Sequence, residues 1–147
     1  MPSVVRSRTL PADQGTLWEL FSDPYHLPRW WPKLQRVEDA SEEAWTKVLR
    51  SSRGKVVRAD YSRVDADPQR KITWRHEVDE SPFERILADS LIEITLEPED
   101  ERHTRVEMRA DYKLRGSSRF GGFMVRRATR RQLDEALDGL ERAVGAT

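Results

Sequence analysis

Residues 104–144, TRVEMRADYKLRGSSRFGGFMVRRATRRQLDEALDGLERAV, change their hydrophobic period partway along. Up to Leu114, apolar and polar residues alternate, as they do in a strand with one face on a core and the other in water. After Gly116 the spacing becomes helical, with one apolar stripe formed by Leu133, Leu137, Leu140 and Val144. The stretch therefore predicts a strand followed by a long helix over residues 118–144, interrupted early at Gly121-Gly122.

The alternation of apolar and polar residues extends back to Leu34 and predicts about six antiparallel strands. Turn-forming residues divide them at Ser52-Arg53-Gly54, Asp67-Pro68-Gln69, Glu80-Ser81-Pro82 and Pro98-Glu99-Asp100-Glu101. Residues 4–10, rich in β-branched side chains, predict one more strand at the N-terminus. A helix over residues 12–21 and a short one over residues 26–31 are expected next, because prolines mark their ends.

The chain of 147 residues is expected to form a single α+β domain over residues 1–147. A one-faced sheet of about seven strands must be covered, and the C-terminal helix is the only predicted element long enough to cover it. The chain has no cysteine, which excludes disulfides, thiolate catalysis and cysteine-ligated metals. It lacks the apolar run of a signal peptide and any stretch of membrane-spanning length, so we expect a soluble, cytoplasmic protein.

Residues 17–38, LWELFSDPYHLPRWWPKLQRVE, and the order of predicted elements resemble the START/birch-pollen-allergen-like (SRPBCC) superfamily. Within it, the chain looks most like the bacterial polyketide cyclase/dehydrase and lipid-transport branch. The matching features are Pro11-Ala12 after the first strand, Trp18 in the helix, Asp23 behind it, and Trp31-Pro32 before the second strand. The resemblance covers essentially the whole chain. It implies a helix-grip fold, in which a curved antiparallel sheet wraps around the C-terminal helix and leaves a cavity between them.

The resemblance also implies that this cavity binds or transports a hydrophobic small molecule, such as a lipid, a polyketide or an aromatic compound. The residues expected to contact it are Trp30, Tyr61, Trp74, His76, Ser90, Ile92, Met108, Tyr112, Phe123 and Arg127, with Phe120 and Met124 as further helix candidates. Most of them are apolar or aromatic, as in sites for small hydrophobic molecules. An imidazole such as that of His76 can orient a ligand or transfer a proton, and its alternative role is that of a hydrogen-bonded core histidine.

The adjacent residues Trp30 and Trp31 allow two interpretations. Neighbouring helical residues point about 100° apart, so one ring is expected under the sheet edge and the other at the cavity entrance. Alternatively, both rings fill the end of the core.

Two other functions stay open. The first is an enzyme of the polyketide cyclase or aromatase type, in which His76, Tyr61 and Tyr112 transfer protons to a bound substrate. No nucleophile motif such as G-x-S-x-G occurs, so the sequence leaves open whether the protein is an enzyme.

The histidines show no metal-ligand spacing and no phosphate-binding loop is present, so neither a metal nor a cofactor is predicted.

The second alternative is a module that binds RNA, the ribosome or another protein through an arginine-rich segment. Between Asp111 and Asp134 the chain has no acidic residue but carries Lys113, Arg115, Arg119, Arg126, Arg127, Arg130 and Arg131. Helical pairs between Arg130 and Asp134 and between Arg131 and Glu135 would neutralise part of this charge. The segment lacks interleaved exposed aromatic residues, which disfavours a nucleic acid partner.

Overall fold

The computed structural model describes residues 2–51, 53–78, 86–116 and 119–145, and for residues 119 and 120 it describes the backbone only. Within these residues seven strands form, namely β1 (Ser3–Leu10), β2 (Leu34–Glu38), β3 (Ala44–Arg50), β4 (Val56–Asp67), β5 (Lys71–His76), β6 (Leu87–Pro98) and β7 (Thr104–Leu114). The helices are α1 (Gln14–Ser22), a 3₁₀ helix (Pro24–Arg29) and α2 (Arg119–Gly145). The described elements follow the order expected from the sequence.

All seven strands belong to one antiparallel sheet in the order β1-β7-β6-β5-β4-β3-β2. The sheet is open, with β1 and β2 at its edges, and α1 and the 3₁₀ helix carry the chain from one edge to the other.

The α+β prediction and the helix-grip fold are confirmed. The predicted turn at Glu80-Ser81-Pro82, like Ser52 of an earlier turn, lies outside the described residues. The predicted interruption at Gly121-Gly122 is wrong, because α2 runs through both glycines.

The two helices between β1 and β2 begin at aspartate caps. The Asp13 carboxylate accepts a hydrogen bond from the N–H of Thr16 at 3.1 Å, which satisfies a free donor in the first turn of α1. The Asp23 carboxylate accepts one from the N–H of Tyr25 at 3.0 Å, and Pro24 suits the first position of the 3₁₀ helix because its φ is fixed. Pro28 lies inside this short helix, where a missing N–H is tolerated more easily than in a longer α-helix.

The C-terminal half of α2 packs on the core through its predicted stripe, which consists of Leu133, Leu137, Leu140 and Val144, each at most 8% exposed. At Gly139 the helix meets the backbone next to the 3₁₀ helix. A Cβ atom added there would lie 2.0 Å from the carbonyl oxygen of Trp30 and 2.8 Å from its carbonyl carbon. Only glycine permits so close an approach, so this residue fixes the height of α2 above the sheet.

Ion pairs join α2 to the edge strand β1. The Arg6 guanidinium contacts Asp134 at 2.7 Å, and that of Arg8 contacts Asp138 at 2.7 Å and Glu141 at 2.9 Å. Within the described side chains, neither of the predicted pairs between Arg130 and Asp134 and between Arg131 and Glu135 forms. That prediction is wrong, and for Asp134 the reason is that Arg6 of β1 binds it instead.

We expect Gly139→Ala to lower the free energy of unfolding by roughly 1–3 kcal/mol or more, because the new methyl group would overlap the Trp30 carbonyl. The matched control is Gly122→Ala in the same helix, where the nearest atom to an added Cβ is Leu114 Cδ1 at 3.5 Å. This control should be neutral or stabilise by up to about 1 kcal/mol through helix propensity. Urea denaturation of the three proteins measures both effects, and equal stabilities would refute the close approach.

Candidate ligand-binding site

A pocket of about 520 Å³ lies between the inner face of the sheet and α2. Its inner wall is formed by buried side chains from β4 to β7, namely Ala59, Tyr61, His76, Ile92, Ala110 and Tyr112. The strand register explains this grouping, because Tyr61 pairs with His76, Ile92 with Ala110 and Ser90 with Tyr112, and paired residues share a face. The helical side is formed by Val125, Ala128, Thr129, Arg131, Gln132 and Glu135.

The structure brings together half of the predicted contact residues around this pocket, namely Tyr61, His76, Ser90, Ile92 and Tyr112. The others lie elsewhere. Trp30, Trp74 and Met108 are at most 2% exposed and belong to the packed core. Phe123, at 62% exposure, and Arg127 lie on α2 away from the pocket, because residues 125, 128, 129 and 132 take the inward face of the helix. Met124 is exposed as well, and the side chain of Phe120 lies outside the described residues.

The adjacent tryptophans both fill the core, which is the second of the two interpretations. Trp30 and Trp31 are 2% and 3% exposed, and neither lines the pocket between the sheet and α2. The Trp30 ring meets Phe21 and Trp31 edge-on at centroid distances of 5.2 and 5.5 Å, and its indole N–H donates to the carbonyl of Leu20 at 2.8 Å. Trp74 lies 6.2 Å from Trp30 and 6.0 Å from Trp31, so the cluster closes one end of the interior.

A fully buried lysine, which the sequence reasoning missed, lies between this cluster and the pocket. Lys47 on β3 is 0% exposed and pairs with Ala59 of the pocket wall. Its Nζ lies 3.7 Å from the ring centroid of Trp31, 4.0 Å from that of Tyr61 and 5.3 Å from that of Trp74. No hydrogen-bond acceptor reaches it within the described part of the chain. Aromatic faces therefore replace water around the amine, and burial lowers the pKa of Lys47 well below its usual range.

A row of parallel rings connects the neighbourhood of Lys47 to the pocket. Tyr61 stacks on His76 with a centroid distance of 4.7 Å and an interplanar angle of 11°, and on its other side it lies parallel to Trp45 at 6.2 Å. Burial, assisted by the charge of Lys47, lowers the pKa of His76 to about 4, and burial raises the pKa of Tyr61. At neutral pH the inner wall thus presents an uncharged imidazole and uncharged hydroxyls among apolar groups. Such a wall can hydrogen-bond a mostly apolar ligand.

Across residues 2–51, 53–78, 86–116 and 121–145, no three His, Asp or Glu side chains cluster closely enough to hold a metal ion. No helix in the described part of the chain is both long and apolar enough to cross a membrane.

Comparison with known proteins supplies a family and a fold. The family described as "Polyketide cyclase / dehydrase and lipid transport" matches residues 1–145. Among solved structures, a START superfamily protein from Mycobacterium smegmatis has a TM-score of 0.79 and 14% identity over 99% of each chain. The Zhui aromatase/cyclase from Streptomyces sp. R1128 has a TM-score of 0.72 and 19% identity, covering 97% of this chain and 90% of that one.

A third solved structure, the di-domain ARO/CYC BexL from the BE-7585A biosynthetic pathway, has a TM-score of 0.83 and 18% identity. The match covers 99% of this chain and 47% of BexL. At these identities the structural likeness establishes the fold. No curated protein matches the sequence.

We expect Lys47→Met to raise the free energy of unfolding at neutral pH by roughly 1–3 kcal/mol, because it removes a buried donor that has no acceptor and keeps the unbranched shape. Folding lowers the pKa of Lys47, so below its ordinary value of 10.5 the unfolded state binds more protons. The wild-type protein therefore gains stability from this group as the pH rises towards that value, and the variant does not. Urea denaturation at about pH 7 and pH 10 measures both effects.

The control for this experiment is Lys113→Met, which removes an exposed lysine from β7. Its stability should stay within about 0.5 kcal/mol of the wild type. Loss of stability in Lys47→Met at both pH values would mean that the aromatic rings hold a favourable cation.

Proposed function

Because the chain belongs to the polyketide cyclase/dehydrase and lipid transport family, we propose that it binds a mostly apolar small molecule in the pocket between the sheet and α2. The observation that carries the proposal is the pocket itself. Its volume of about 520 Å³ lies within the range of small-molecule sites. Its wall combines apolar side chains such as Leu49, Val57 and Ile92 with a few polar groups.

The driving force for this binding is the removal of apolar surface from water. It contributes about 25 cal/mol for each Å² covered, and the buried aliphatic part of the wall offers such surface on several strands. The hydroxyl groups of Tyr61, Ser90 and Tyr112 and the imidazole of His76 then favour ligands that place a hydrogen-bonding group against the wall. A ligand without such a group would displace water from the three hydroxyl groups without replacing its hydrogen bonds, and would bind more weakly.

Filling the pocket from the helix should block binding. We expect Ala128→Trp to weaken the binding of the neutral fluorescent probe N-phenyl-1-naphthylamine at least about 10-fold, because the indole would occupy space at a pocket-lining position. Met124→Trp is the control, since Met124 lies one turn earlier on the same helix, is 52% exposed and does not line the pocket. Fluorescence titration measures both affinities. Equal affinity in the two variants, or no binding to the wild type, would overturn the proposal.

A second candidate function is cyclisation of a bound poly-β-ketone, favoured by the finding that Tyr61, His76 and Tyr112 line one pocket. The neutral imidazole would take a proton from a CH₂ group between two carbonyls. The resulting enolate carbon would form a bond to a second carbonyl carbon, and a tyrosine hydroxyl would protonate the alkoxide. Loss of water would then form the double bond. A base with a pKa of about 4 abstracts protons weakly at neutral pH, so binding alone ranks first.

His76→Phe tests the second candidate, because phenylalanine keeps a ring against Tyr61 and removes the proton acceptor. If the protein cyclises a poly-β-ketone thioester, the variant should lose turnover by about 10²-fold or more while its affinity for N-phenyl-1-naphthylamine changes less than about twofold. Product formation is followed by liquid chromatography with mass detection. Absence of wild-type turnover, or equal turnover in the variant, would rule out this role for His76.

A further inference from the structure

The mouth of the pocket carries an excess of positive charge. Three exposed basic residues line it, Lys33 before β2, Arg50 at the end of β3 and Arg131 on α2. The acidic residue among the lining side chains is the half-buried Glu135. The buried inner wall behind them is uncharged at neutral pH, so the charge is confined to the opening.

Two of these residues are held together at the sheet side of the opening. The backbone N–H of Arg50 donates to the carbonyl oxygen of Lys33 at 2.9 Å, which fixes the start of β2 against the end of β3. In the amide orientation that satisfies both side chains, the oxygen of Gln35 accepts from Nε of Arg50 at 2.6 Å and from Nη2 at 3.1 Å. A neutral amide thus orients the guanidinium without cancelling its charge.

The third basic residue, Arg131, lines the opening from the helix, and three further acidic residues of α2 are paired with arginines of β1. Asp134 is bound by Arg6, and Asp138 and Glu141 are bound by Arg8. Within the described side chains, Lys33, Arg50 and Arg131 form no ion pair with a carboxylate. Three cations against the one lining carboxylate, that of Glu135, therefore leave the opening with a positive charge that can attract an anion from solution.

We propose that the pocket selects amphiphiles with an apolar body and an anionic head, a carboxylate, sulfate or phosphate, and that Lys33, Arg50 and Arg131 hold the head at the mouth. This inference rests on the proposed binding function and adds the chemical class of the ligand. Guanidinium groups suit it because they form paired, charge-assisted hydrogen bonds with planar or tetrahedral oxyanions. A head kept at the opening retains part of its hydration, which avoids the cost of burying a charge.

The test compares two ligands with the same chain, decanoate and 1-decanol, as competitors of bound N-phenyl-1-naphthylamine at about pH 8 and low ionic strength, where the carboxylate is ionised. We expect decanoate to bind at least about 10-fold more tightly than the alcohol, and this preference to shrink as salt is added. In Arg50→Gln/Arg131→Gln the ratio of the affinities for the two competitors should fall to about one.

The matched control is Arg126→Gln/Arg127→Gln, which removes the same charge from exposed positions of α2 that do not line the pocket. It should keep the preference for decanoate. Equal binding of the two competitors, displacement by neither, or an equal loss of preference in both double variants would overturn the anionic-head inference while the binding function stands. Failure of the neutral probe to bind the wild type would instead overturn the proposed function.

Discussion

The contact between Gly139 and the backbone of Trp30 determines how the interior of this protein is divided. Since the helix touches main chain there, with no side chain between them, its C-terminal half lies as low over the core as a helix can. The leucine stripe and the tryptophan cluster then form the packed core at this end. The helical residues 125–132 lie on the other side of that contact, and there a pocket remains between helix and sheet.

Lys47 lies where the packed half of the interior meets the pocket, and burying its amine destabilises the fold. A buried amine without an acceptor costs more than an apolar side chain of the same length would. The rings of Trp31, Tyr61 and Trp74 compensate in part by offering their negative faces to the amine. Its charge also helps to keep His76 neutral, so the lysine influences the pocket wall without lining it. Natural proteins accept such local costs chiefly at functional sites.

The fold could be predicted from the sequence because period-two alternation and a helical leucine stripe are local signals. The same alternation placed Tyr61, Ser90 and Tyr112 on the correct face of the sheet. It could not tell how far along a strand the pocket extends, so Trp74 and Met108 share that face but lie in the packed half. Phe123 and Arg127 were expected on the inward face of α2 but are exposed, because the helical period alone does not specify how a helix is rotated against the sheet. Lys47 stands two residues from both Trp45 and Leu49, so the period of two already placed it on their face of β3. The buried lysine could therefore have been found from the sequence.

The uncharged wall and the basic mouth follow from one physical requirement. An apolar body gains free energy on leaving water, whereas an ionic head loses hydration if it follows the body inside. A pocket that places its cations only at the opening satisfies both parts of an amphiphile in one orientation. The ion pairs between β1 and α2 hold Asp134, Asp138 and Glu141 with Arg6 and Arg8, and none of these three acids lines the pocket. Among the lining side chains, Glu135 is therefore the acid that offsets part of the charge of the three cations.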